Sequence, residues 1–295
     1  MTYQLKITDM AMGFAVAIVW GMGLVFAKAA IEHFPPILLM SLRFTVAALA
    51  LVWFVKPPLK HLKALFWVSI VSAAIQYSFT FTGLKGLDAG VTSLVVQLEV
   101  PFLTLLGALV LGERTSLRKW LGIALAFSGV AVIVGWPTEP ISLTSVALVI
   151  CGGFTWAVGQ IMVRRLDSID GLTVTAWVAV FAVPQLLVMS LLFETGQSEA
   201  LLNAPPIVWV SVAYLGLVMT ALGYGIWFTL VRRHPVSMVA PFLLLLPLVS
   251  VIGGIVFLGE TLSASSLIGG AVVLTGVASI VLERPPKPVP TEMGI

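Results

Sequence analysis

The chain has 295 residues, of which 59% are hydrophobic and 10% charged, and its mean hydropathy is +1.09. So little polar surface will not coat a water-soluble globule of this size, which excludes a soluble fold and predicts a multi-spanning membrane protein. A net charge of +3 and a pI near 9.1 do not imply nucleic acid, because the basic residues sit beside apolar segments and not in one soluble patch.

A hydrocarbon core about 30 Å thick needs roughly 20 apolar residues per helix. The polar, glycine and proline punctuation then predicts ten spans, near 10–30, 37–55, 64–84, 91–111, 117–135, 143–163, 172–193, 206–230, 237–258 and 265–283. The opening MTYQLKITD runs into the first apolar stretch with no small-residue cleavage site, so this span is expected to be retained and not removed as a signal peptide. It carries Trp20 within VWGMG, where two glycines thin the helix and permit close approach of a neighbour or ligand. The second span follows Pro35-Pro36 and holds Arg43 about one and a half turns in, where snorkelling to the interface or capping a neighbouring helix is the expected role. The third reads QYSFTFTGLK, with Gln76 and Tyr77 near the midplane and Thr80 one turn beyond Gln76, a polar stripe that should face protein or water.

The fourth span holds the sharpest anomaly, QLEVP, with Gln97, Glu99 and Pro101 near the midplane. A carboxylate at that depth costs on the order of 3 kcal/mol to insert. Glu99 is therefore either a protonated or paired structural group, or a ligand group or proton carrier facing an aqueous pathway. Spaced small residues mark the fifth span (Gly122, Ala126, Gly129) and the tenth (Gly269, Gly270, Ala271, Gly276) as helix-packing surfaces. The sixth, CGGFTWAVGQ, joins small residues to Trp156 and Gln160, and the eighth, TALGYGIWF, does the same with Tyr224 and Trp227, so both can line a cavity. Pro184 in the seventh span, and Pro241 and Pro247 in the ninth, break the backbone ladder, which is tolerated where neighbours or cavity water satisfy the freed carbonyls. The proline-rich end, ERPPKPVPTEMGI, reads as a disordered cytoplasmic tail.

The second half repeats the first. LGERTSLRKWLGIALAFSGVAVI from Leu111 and LGETLSASSLIGGAVVLTGVASI from Leu258 agree at ten of twenty-three positions at an offset of 147, including Glu113/Glu260. Composition alone would give roughly two matches. WGMGLVFAK from Trp20 and WAVGQIMVR from Trp156 repeat more weakly at an offset of 136. Thirteen of the sixteen Lys and Arg fall on alternating ends of the spans, which puts both termini in the cytoplasm and makes the second five-helix half an inverted copy of the first. The expected organisation is a first repeat over 1–136, a second over 137–284 and a tail over 285–295. Glu113 and Glu260 each precede a new helix and are read as interfacial N-terminal caps.

The lone Cys151 permits no intrachain disulfide or cysteine-rich metal site, and His33, His61 and His234 lie at span ends without clustering. No phosphate loop, HExxH or GxSxG motif is present, so no catalytic residue, metal or cofactor is expected and the chain is read as a non-enzyme.

The ten spans, the two LGE segments feeding spans five and ten, the Trp-Gly of span one and the Arg-Phe of span two resemble the EamA-type branch of the drug/metabolite transporter superfamily. Within that branch the chain looks most like the YddG-type exporters of aromatic and other amino acids. The resemblance implies an all-α integral membrane protein of the bacterial inner membrane, with inverted five-helix repeats and a central cavity lined by spans 1, 3, 4, 6, 8 and 9. It also implies a secondary exporter of small metabolites working by alternating access. From the residues, a cavity walled by Trp20, Tyr77, Trp156 and Tyr224 would offer ring surface to a large side chain. Glu99, Gln76 and Gln160 would hold the ammonium and carboxylate of an amino acid. The expected partners are amino acids and the lipid bilayer, with protons as the candidate coupling ion. An antiporter of phosphorylated or nucleotide-linked sugars, which would need midplane cations, and a passive channel are the alternatives.

Overall fold

The computed structural model describes residues 5–113, 115–135, 141–166 and 169–283, apart from the side chains of 236 and 237. The tail expected over 285–295 lies outside the described residues. Among the described residues, ten helices are long and apolar enough to cross a membrane: α1 Ile7–Ile31, α2 Pro36–Phe54, α3 Leu59–Lys85, α4 Ala89–Leu111, α5 Leu117–Gly135, α6 Leu143–Arg164, α7 Gly171–Phe193, α8 Pro206–Arg233, α9 Ala240–Leu258 and α10 Ala264–Val281. A helical turn at Val236–Val239 leads into α9, and a short helix, Gln197–Asn203, sits between α7 and α8. The end bearing Lys6, Lys60, Arg118 and Arg164 is called the basic end below, and the other the opposite end.

The expected glycine surfaces pack α5 against α10. A Cβ on Gly129 would fall on the Gly269 carbonyl and the Val273 amide, and one on Gly122 would meet the Gly276 carbonyl, so the two backbones touch directly. The remaining helices gather around two apolar cores. One joins α1, α2 and the far end of α3 to α7 and α8 through Phe34, Leu39, Phe44, Leu84, Leu186 and Leu215. The other joins α4, α5, α6 and α10 through Leu94, Leu98, Ile133, Val149 and Val273.

Apart from short 3₁₀ turns at the end of α2 and the start of α3, four spans depart from a regular α-helix, and they fall in repeat-related pairs. α3 contains a π-helical stretch at Ile70–Ile75 and α8 one at Tyr214–Leu222. In the second of these the Thr220 hydroxyl donates to the Leu215 carbonyl five residues back, at 2.7 Å. α4 breaks between Val96 and Glu99, where Leu98 and Val100 bond carbonyls only three residues back, and α9 begins with a 3₁₀ stretch at Ala240–Leu245. π-turns and broken spans are a recurrent feature of functional membrane sites, because they free polar backbone groups toward a protein cavity.

At the opposite end, carboxylates from the second repeat cap helices of the first. Glu194 accepts from the Ile37 and Leu38 amides at 2.8 and 3.1 Å, closing the start of α2. Glu260 accepts from the Ala89 and Gly90 amides at 2.6 and 3.2 Å, closing the start of α4. Burial pushes the Glu260 carboxyl above its usual range, against the downward pull of those two amides. Glu260 is thus a helix cap, as its position suggested, but for a helix 171 residues away; α10 is capped instead by Ser263, which accepts from the Ser266 amide. Its repeat partner Glu113 pairs with Arg164 at the end of α6, at 2.5 Å.

Candidate functional site

The residues named from sequence converge on the irregular stretches. Trp20 of α1 reaches α8: its indole N–H donates to the Met219 carbonyl at 3.0 Å, inside the π-helical segment, and its ring lies 5.0 Å from Tyr224 and 5.8 Å from Trp227. Gly223 makes this possible, because a Cβ there would strike the indole. Tyr224 stacks on Phe228 at 5.8 Å and interacts electrostatically with Tyr77 of α3, Arg43 and Glu99. Tyr77 in turn stacks on Phe81 at 5.6 Å and meets Phe44 edge-on at 5.0 Å.

Glu99 occupies the first turn after the break in α4, where its side chain abuts Gly153 of α6. Among the described residues it makes no ion pair. Glu99 and Tyr224 are both half-buried. Trp156 and Gln160 follow Gly153 by three and seven residues, so they continue the same α6 face toward the basic end. Gln76 is 4% exposed and lies where α3 meets α6, its amide N–H donating to Thr80 at 3.2 Å while its carbonyl oxygen is left without a partner.

Arg43 corrects an expectation. It does not snorkel to an interface but is 1% exposed inside the bundle. The guanidinium lies over the Tyr77 ring at 4.7 Å and near the Phe44 ring at 5.4 Å. It donates to Thr220 Oγ1 at 3.1 Å and to the Tyr77 hydroxyl at 3.4 Å. A cation so deep needs neutral acceptors and ring faces in place of water. Arg43 therefore lies against Tyr77, and both Arg43 and Glu99 act electrostatically on Tyr224. The depth of Arg43, inside a span bearing no other charge, was the available sequence signal for this role.

A separate depression of about 710 Å³ opens at the opposite end, lined by Glu32, His33, Thr82, Lys85, Glu194 and Glu199 among others. It contains none of the residues expected from sequence to bind substrate.

Residues 8–135 and 143–282 each match the EamA-like transporter family. The chain belongs to that family. This EamA-like protein is 33% identical over 271 residues to a "Probable amino-acid metabolite efflux pump" of Salmonella typhimurium, covering 89% of the chain and 91% of the relative. It is 30% identical over 278 residues to an Escherichia coli protein of the same description, covering 91% and 93%. A solved crystal structure superposes with a TM-score of 0.61 over 93% of this chain and 96% of the other at 20% identity, which supports the fold. The EamA-like protein is accordingly a multi-pass inner-membrane transporter with two family repeats, helical in its described spans.

Proposed function

We propose that this EamA-like protein exports amino acids with aromatic or other large apolar side chains by alternating access, with the basic end and both termini in the cytoplasm. The observation that carries the reading is the mid-depth cluster in which Arg43 lies on Tyr77 while Arg43 and Glu99 both act on Tyr224, beside the rings of Trp20 and Trp227. Glu99 would take the ammonium group, and the phenols polarised by Arg43 the carboxylate. Trp20, Trp156 and Trp227 would face the side chain. Gln76 and Gln160 would complete the polar contacts. The description shared by the two bacterial relatives agrees with this substrate class.

The sugar-phosphate alternative fares worse on charge. Arg43 is 1% exposed and its guanidinium is taken up by Tyr77 and Thr220, so this mid-depth cation is not presented to a phosphate dianion. Coupling to proton entry would let export run against a gradient, with Glu99 as the group that exchanges its proton for substrate. Purified protein in liposomes should show saturable counterflow of labelled phenylalanine that is competed by tryptophan and methionine. Trp156→Ala should raise the half-saturation concentration. Counterflow of triose phosphate with no competition from these amino acids would overturn the assignment, and non-saturable flux would replace the carrier with a channel.

A further inference from the structure

The two LGE glutamates occupy the same backbone setting and yet hold different partners. Each follows a left-handed glycine, Gly112 at φ 67° and Gly259 at φ 70°, that ends a span. In each the glutamate amide donates to a glycine carbonyl six residues back at 3.1 Å. Glu260 then reaches across to cap α4, whereas Glu113 pairs with Arg164. The cations repeat as well: at the offset of 136 that lays Trp20 on Trp156, Lys28 falls on Arg164. Lys28 lies within the electrostatic field of Glu260, but its ammonium donates to the carbonyls of Leu84 and Lys85, at 3.1 Å each, at the end of α3. So at the opposite end the carboxylate caps one helix start and the cation caps one helix end, while at the basic end the equivalent pair neutralises itself.

The packing follows the same division. The first half of α4 lies along the second half of α9 at the opposite end, and no comparable packing joins the second half of α4 to the start of α9 among the described residues. At the offset of 147, the capped amides of Ala89 and Gly90 correspond to those of Val236 and Ser237. These are the first amides of the turn leading into α9, and the groups Glu113 would cap if it behaved as Glu260 does. Arg164, behaving as Lys28 does, would bond the last carbonyls of α8.

We infer that Glu260 with Lys28, and Glu113 with Arg164, are two latches that exchange states: whichever end is closed has its carboxylate and cation capping helices, and whichever is open has them paired with each other. The inference rests on the alternating-access part of the proposed function and is independent of substrate. The Glu113–Arg164 pair is 44% and 60% exposed, and such a pair contributes little. Neutralising Glu113 therefore removes more from the state in which it caps α9 than from the state observed. Neutralising Glu260 removes its cap from the state observed.

The test uses spin-label pairs at Lys85/Thr261 and at Arg165/Arg232 in a Cys151→Ser background, read by double electron–electron resonance in lipid nanodiscs. Glu260→Gln should lengthen the Lys85/Thr261 separation and shorten the Arg165/Arg232 one, and Glu113→Gln should do the reverse. Each should change the ratio of the two populations by about two- to thirtyfold, the span of measured N-cap losses. Glu260→Asp, which keeps the charge, should shift the ratio less, and the double glutamine variant should return it toward that of the unsubstituted protein. Shifts in the same direction from both single variants, or none from either, would overturn the latch. A response of the unsubstituted protein to saturating phenylalanine would leave alternating access standing in that case, and its absence would count against phenylalanine as a substrate as well.

Discussion

Replacing Glu99 by Gln tests the centre of the site with the smallest change of shape. The carboxylate stands on the first turn after the break in α4, against Gly153, with no ion-pair partner among the described residues. Its insertion costs on the order of 3 kcal/mol, so the amide should fold and insert at least as well. If the carboxylate binds the substrate ammonium, the lost charge-assisted hydrogen bond is worth about 1.5–3 kcal/mol. At 1.36 kcal/mol per tenfold, the half-saturation concentration for phenylalanine should rise about ten- to 150-fold. Counterflow in liposomes, with labelled phenylalanine and with 3-phenylpropionate as a probe that lacks the amine, separates this from general damage. The variant should lose phenylalanine transport and keep whatever interaction phenylpropionate has with the unsubstituted protein. Unchanged half-saturation for phenylalanine, at neutral and at mildly acidic pH, would refute the reasoning and leave Glu99 a structural group.

Gly129→Leu should lower the thermal unfolding midpoint in detergent, because the side chain must displace the Gly269 carbonyl, an overpacking cost of about 1–3 kcal/mol. Leucine at Gly135, where a Cβ meets nothing, should leave it unchanged. For sidedness, a single cysteine at Glu199 in a Cys151→Ser background should react with an impermeant thiol reagent added to whole cells and one at Lys60 should not; the opposite pattern would invert the proposed orientation.

The ten spans, the repeat and the α5–α10 glycine faces were legible because each is carried by local periodicity or by matching segments. Trp20, Tyr77, Glu99 and Tyr224 stood out as polar or aromatic groups at mid-depth, and the fold sets Trp20 against Tyr224 and places Tyr77 and Glu99 within electrostatic range of Tyr224. What stayed hidden depends on contacts distant in sequence. The partner of Glu260 is 171 residues away, and a carboxylate beside the start of α10 gives no sign that it serves α4. Arg43 reads as an interfacial cation until Tyr77 and Thr220 are known to surround it. The π-helical stretches also defeat face counting. Each displaces the residues beyond it by about 100° relative to an uninterrupted α-helix, so Gln76 and Tyr77 could not be assigned to faces by counting from the start of α3.

The α5–α10 contact has a consequence for how the chain holds together. Gly122 meets Gly276, the repeat counterpart of Gly129, and Gly129 meets Gly269, the counterpart of Gly122, so each half offers the other the same surface, as subunits do across an isologous dimer interface. The link between α5 and α6 is then not what keeps the halves associated along this seam. Two fragments separated after Gly135 carry complementary faces already matched in length and register, and the single polypeptide is, at that seam, a covalently joined pair.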